Sequence, residues 1–233
     1  MFNPGDVISY LELSVEEKAT LQRGMNFHHN PKYSVILMSQ RKGAPYIDKI
    51  EDDGRLLIYE GHDVPNRKGS SADPKLVDQP MQNPGGSLTQ NGLFFQAATR
   101  FKNGEQPPEL VRVYEKIREG IWVFNGIFEL VDAWQEYDAR RSVFKFKLHL
   151  VLEPASRTMS SSEIELDHTR MIPSSVKREV WERDKGRCAN CGSDKNLHFD
   201  HILPYSKGGT SLTSANIQLL CVNCNLAKKD RIE

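Results

Sequence analysis

The chain has 233 residues, enough for one large domain or two smaller ones. Hydrophobic residues make up 38% and charged residues 27%, the ordinary balance of a soluble globular protein. No apolar run approaches a membrane span, and the opening MFNPGDVISY has neither a basic n-region nor an apolar h-region, so the expectation is a cytoplasmic protein with no membrane partner. Net charge is zero, but residues 170–233 carry a surplus of four positive charges and residues 1–169 a surplus of four negative ones. Charge alone therefore gives only weak support for a polyanionic partner.

In chain order, Ser14 and Glu17 stand in capping-box spacing, which predicts a short helix over 14–23. Tyr33–Ser39 and Arg55–Tyr59 are apolar runs of strand length. Between Asp63 and Gly92 lies a long stretch of Pro, Gly, Ser, Asn and Gln, the kind of loop that is more often functional than idle. A helix is expected over Leu93–Lys102, with Asn91 near its start. Three strands follow at Leu110–Lys116, Ile121–Trp134 (broken near Gly126) and Ser142–Leu152. In the last, Phe144, Phe146, Leu148 and Leu150 alternate with Lys145, Lys147 and His149. Polar, Ser-rich residues 153–172 read as a linker, and residues 173–184 as a capped helix with Val176, Val180 and Trp181 inward and Lys177, Arg178 and Arg183 on a solvated face. The fold class is thus α+β, with a strongly twisted sheet or partial barrel over residues 1–152 and a small module over residues 173–233.

All the cysteines lie in that module, as Cys188-Ala-Asn-Cys191 and Cys221-Val-Asn-Cys224. Two CxxC knuckles about thirty residues apart suit one tetrahedral structural zinc, whose four thiolates leave no open position for chemistry. A module this small buries too little apolar surface to fold alone, so zinc would supply folding free energy.

Between and after the knuckles runs DHILPYSKGGTSLTSANIQLLCVNCNLAKK. Its ordered Asp-His, Gly-Gly, Asn, CxxC and Asn-x-x-Lys is similar to the HNH endonuclease family, whose ββα-metal fold holds one catalytic divalent cation. The resemblance covers about residues 173–230. By position it implies His201 as general base, Asp200 as ligand of Mg²⁺ or Mn²⁺, Asn216 as the brace that orients His201, and Asn225 where many members carry a last histidine ligand. Oxygen ligands from Asp and Asn suit a hard cation. Lys228, three residues beyond Asn225 on the same helix face, would hold a DNA phosphate. His198 is expected to pack or hydrogen-bond at the strand edge rather than bind metal.

The stretch from Gly43 to His62, with Gly-Ala-Pro-Tyr46-Ile-Asp48, an acidic turn and Tyr59-Glu-Gly, resembles the SRA (YDG) family, and Leu110-Val-Arg-Val113 and Trp122–Val131 resemble its later strands. This resemblance covers about residues 30–152. It implies a flipped 5-methylcytosine, or 5-hydroxymethylcytosine, held between the aromatic walls Tyr46 and Tyr59 with Asp48 on its Watson–Crick edge. Glu51 or Asp52 are alternatives for that acid, because the Tyr46–Tyr59 spacing is one residue longer than the family's, and Glu60-Gly-His-Asp63 is bulkier than its counterpart. Together the two resemblances imply a modification-dependent restriction endonuclease that acts on double-stranded DNA as a homodimer. The alternatives are an HNH nuclease whose first domain grips unmodified DNA, and a non-enzymatic reader with a zinc-stabilised module.

Overall fold

The computed structural model describes residues 2–65, 73–151, 171–204 and 207–228. Most of the expected linker lies outside the described residues.

The larger part is a mixed α+β domain built on an eight-stranded sheet. Its strands are β1 (Val7–Ser9), β2 (Met25–Asn30), β3 (Tyr33–Met38), β4 (Lys49–Glu51), β5 (Leu56–Glu60), β6 (Glu109–Arg118), β7 (Ile121–Tyr137) and β8 (Ser142–Leu150). Their order is β2-β3-β6-β7-β8-β5-β4, with β1 on the early part of β7, and β3–β6 is the parallel pair. The sheet is open at β2 and β4, so it is twisted but not closed. Strand β7 turns it, pairing β6 through its first half and β8 through its second. The break expected near Gly126 is a bulge within one long strand. Gly126 sits at φ 112° opposite a register shift between Val113 and Tyr114, a backbone that disfavours any side chain.

One face of the sheet is covered by α2 (Gln90–Lys102), whose Phe94, Ala97 and Ala98 pack on Val111, Phe128, Phe144, Phe146 and Leu148. The β8 alternation holds, with the phenylalanines in this core and Lys145 on the other face, 3.0 Å from Glu60. The opposite face receives α1 (Tyr10–Glu17). The 14–23 expectation is corrected here. A second Ser-x-x-Glu box, Ser9 and Glu12, caps the helix, and Ser14 lies inside it with its hydroxyl on the Tyr10 carbonyl. Tertiary contacts decide between the boxes. Glu17 is buried at the helix end, where it accepts from the Tyr114 hydroxyl at 2.6 Å and pairs with Arg112.

The small module has α3 (Ser174–Arg183), an antiparallel pair β9 (Leu197–His201) and β10 (Ile217–Cys221), and α4 (Val222–Lys228). It is docked on the sheet. Its apolar core runs on from Val176, Val180, Phe199 and Leu219 into Ile117 and Val123 of the large domain. Two expectations change as a result. Met171 and Ile172, assigned to the linker, are buried, with Met171 N–H donating to the Gly54 carbonyl. Lys177, assigned to a solvated face, is 1% exposed and lies 2.7 Å from Glu115 and 2.6 Å from Asn125. Burial alone would raise the Glu115 carboxyl, but the Lys177 ammonium more than offsets that and holds it below the usual range.

Candidate active site and binding pocket

The cysteines come together as their spacing implies. The four Sγ atoms lie within 4.8 Å of one another, and Cys191 Sγ is 3.6 Å from Cys221 Sγ. Tetrahedral Zn–S bonds of about 2.3 Å place thiolate sulfurs about 3.8 Å apart, so the cluster fits zinc. Backbone bonds shape the first knuckle, with Cys188 N–H on the Ser193 carbonyl and Ala189 N–H on Leu219. Asp184 joins α3 to the second knuckle's strand by accepting from Leu219 N–H. Arg183 grips the Ser214 and Ile217 carbonyls, so this basic residue is a strut as well.

Beside the knuckles, β9 ends at Asp200 and His201, which pair in register with Gln218 and Ile217. Asn216 does what a brace must do. Its Oδ1 accepts from Leu203 N–H and its Nδ2 donates to the Leu203 and Thr210 carbonyls, closing the loop after His201. Gly209 is required there, because a Cβ would collide with the Leu203 carbonyl and the Asn216 amide. His201 is buried, its Nε2 2.9 Å from the Ser211 hydroxyl. Ser211 was not singled out in the sequence, where nothing marks a serine ten residues downstream as the histidine's partner. His198 bonds through Nδ1 to Asp6 at 3.0 Å, in keeping with a structural role.

Lys228 departs from its expected task. Its ammonium is buried, 2.6 Å from Asp200 Oδ2 and bonded also to the His201 carbonyl, rather than held out toward a phosphate. It neutralises the carboxylate that the resemblance assigns to the divalent cation. Asn225 is half-buried on α4, three residues before Lys228 and next to Cys224. Asp200 and Asn225 both carry oxygen donors, the type a hard cation prefers.

In the large domain, Tyr46, Asp48 and Tyr59 line a single cavity of about 460 Å³. The acid is placed by the fold. Asp48 is buried and accepts from Glu60 N–H at 3.1 Å, whereas Glu51 is exposed at the end of β4 and Asp52 on the turn that follows. Burial raises the Asp48 carboxyl to about 7. His62, which the sequence marks only by its place after Tyr59-Glu-Gly, belongs to the same wall. Asp63 and the residues around Gln79 are fastened down. Arg141 pairs with Asp63 at 2.6 Å, Gln79 donates to the Gly61 carbonyl and accepts from Phe144 N–H, and Asn91 at the start of α2 bonds both backbone groups of His62.

Residues 188–231 match the model of the HNH endonuclease family. No curated protein matches the chain. Solved structures similar to it include the SUVH5 SRA domain in complex with hemi-methylated CG DNA, 23% identical with a TM-score of 0.45 over 69% of this chain and 94% of that one. Another is SUVH5 SRA bound to fully hydroxymethylated CG DNA, at 21% identity and a TM-score of 0.45 over 68% and 94%. Arabidopsis thaliana SUVH6 in complex with SAM is 20% identical, with a TM-score of 0.41 over 64% and 26%. The C-terminal module is an HNH endonuclease domain carrying a cysteine cluster able to hold zinc, joined to a large twisted sheet.

Proposed function

We propose that this protein is a modification-dependent DNA endonuclease. Its large domain takes a flipped, modified cytosine, and its HNH domain hydrolyses the phosphodiester backbone. The observation that carries this reading is the convergence of two aromatic side chains and one buried acid, Tyr46, Tyr59 and Asp48, on a cavity in the same chain as the braced Asp200-His201 pair. An extruded base regains stacking energy on the tyrosines, and Asp48 meets its Watson–Crick edge.

When bound, a divalent cation, Mg²⁺ or Mn²⁺, supplies charge stabilisation at the phosphate and at the leaving 3′ oxygen. His201 takes the proton of the attacking water as its oxygen bonds to phosphorus and the bond to the 3′ oxygen breaks. The Ser211 hydroxyl, 2.9 Å from Nε2, fixes the orientation of the imidazole. Asn216 keeps the loop closed so that the ring stays aimed. Asp200 and Asn225 would hold the cation, beside the Lys228 ammonium that already sits 2.6 Å from Asp200 Oδ2. A double-strand break needs two such centres, so two copies act on one site.

The test is digestion of methylated and unmethylated plasmid with Mg²⁺. Cleavage restricted to the modified plasmid is expected. Equal cleavage of both would favour a nuclease that merely grips DNA, and modification-dependent binding without cleavage would favour a pure reader.

A further inference from the structure

His62 has no task in the reading above, yet it lies at the centre of the pocket. Its ring stacks on Tyr46, with centroids 4.9 Å apart and planes 10° from parallel. Its Nε2 is 2.9 Å from the Tyr59 hydroxyl, so the imidazole ties one aromatic wall to the other. It is a flat, aromatic group already seated where a base would stack. Burial lowers it to about 4, so it is neutral at physiological pH and adds no charge to the wall.

The backbone at this position cannot follow a moving ring. Asn91 accepts from His62 N–H at 2.8 Å and donates to the His62 carbonyl at 2.8 Å. Gly61 beside it is packed so closely against Gln79, Asn91 and Phe144 that a Cβ would strike all three. The ring, held by Tyr46 and the Tyr59 hydroxyl, is the part left to turn about its side-chain bonds, and a second cavity lies beside it. His62 and Tyr46 also border a second cavity of about 960 Å³, lined by Gln82, Asn83, Thr89 and Gln90 among others. Amide groups of this kind bond to hydroxyls without demanding charge, here with Thr89 Oγ1, Asn83 Nδ2 and Gln90 Oε1 already bonded inside the protein.

We propose that His62 is a specificity-determining gate. A flipped base displaces the imidazole toward the larger cavity, the two cavities join, and the room gained admits a cytosine whose 5-substituent is polar and larger than methyl. The inference rests on the proposed base-reading role and names the substrate class for it. No bond is made or broken in the step.

The test measures binding of the full chain to three duplexes that differ at one base: 5-methylcytosine, 5-hydroxymethylcytosine and glucosylated 5-hydroxymethylcytosine, with unmodified duplex as reference. In the wild type the glucosylated duplex is expected to bind at least as tightly as the methylated one. His62→Ala removes the gate and is expected to tighten binding of the glucosylated duplex by about tenfold relative to the methylated one, with the Asn91 backbone clamp retained and the bond to the Tyr59 hydroxyl lost. Loss of affinity for every modified duplex in His62→Ala would show the ring to be a fixed wall and overturn the proposal. So would binding of the glucosylated duplex that is about tenfold or more weaker than of the methylated one in both proteins. A wild type that prefers no modified base over unmodified DNA would instead remove the base-reading role itself.

Discussion

His201 and Asp48 are buried polar side chains, and their surroundings determine what each can do. His201 is held by β9, the Ser211 hydroxyl and the loop that Asn216 closes, none of which belongs to the cysteine cluster. His201→Ala is therefore expected to abolish cleavage while metal content by elemental analysis and DNA affinity stay near wild type; residual cutting by the pure variant would contradict its role as base. Asp48 makes a pH-dependent prediction. Burial brings its carboxyl to about 7, so the neutral acid is available near physiological pH. The acid both accepts from the cytosine amino group and donates to the neighbouring ring nitrogen, whereas the carboxylate only accepts. A carboxyl raised in this way loses its proton as pH climbs through that value. The preference for modified duplex, measured by competition binding, is thus expected to be strongest below about 7 and to fall above it. Asp48→Asn keeps one acceptor and one donor and should flatten the profile while retaining the preference; Asp48→Ala should lose it.

Helices and strands differed in how plainly the sequence announced them. The zinc-type cluster was legible because CxxC spacing is local chemistry, the first knuckle lying on a turn and the second where β10 runs into α4. Cys224→Ser is expected to release the metal and unfold the HNH domain, read as loss of zinc by elemental analysis and loss of cleavage, and a chelator should do the same to the wild type. Asn216 was named from the HNH resemblance, and its amide bonds reach to residues 203 and 210. The contact of Lys228 was not legible, because its partner Asp200 is 28 residues away and reaches it only through the β9–β10–α4 packing. Strand β2, Met-Asn-Phe-His-His-Asn, has no clean alternation and forms because β3 offers it an edge. The two Ser-x-x-Glu boxes near α1 show the same limit. Local signals were equal, and the burial of Glu17 against Tyr114 chose the register.

The two domains meet through a buried ion pair. Lys177 of α3 reaches Glu115 and Asn125 in the sheet with essentially no exposure. Removing one member of such a pair strands the other charge, a cost of about 3–5 kcal/mol. Lys177→Ala is expected to lower stability by that order in denaturant unfolding. Replacing both members with apolar groups of similar size should recover most of the loss, and failure to recover would mean the pair does more than dock the domain. The segment around Gly5 and Asp6 adds a second tie. Gly5 N–H donates to the Phe124 carbonyl of β7, Phe199 N–H of β9 donates to the Gly5 carbonyl, and Asp6 pairs with His198, 192 positions later. On the ribosome this staple cannot close when its first half emerges. The early segment can settle on β7 once that strand exists, but β9 follows later in the chain, and only then does the staple close. In a nascent chain the sheet around Tyr46, Asp48 and Tyr59 is therefore in place before the C-terminal module is anchored to it.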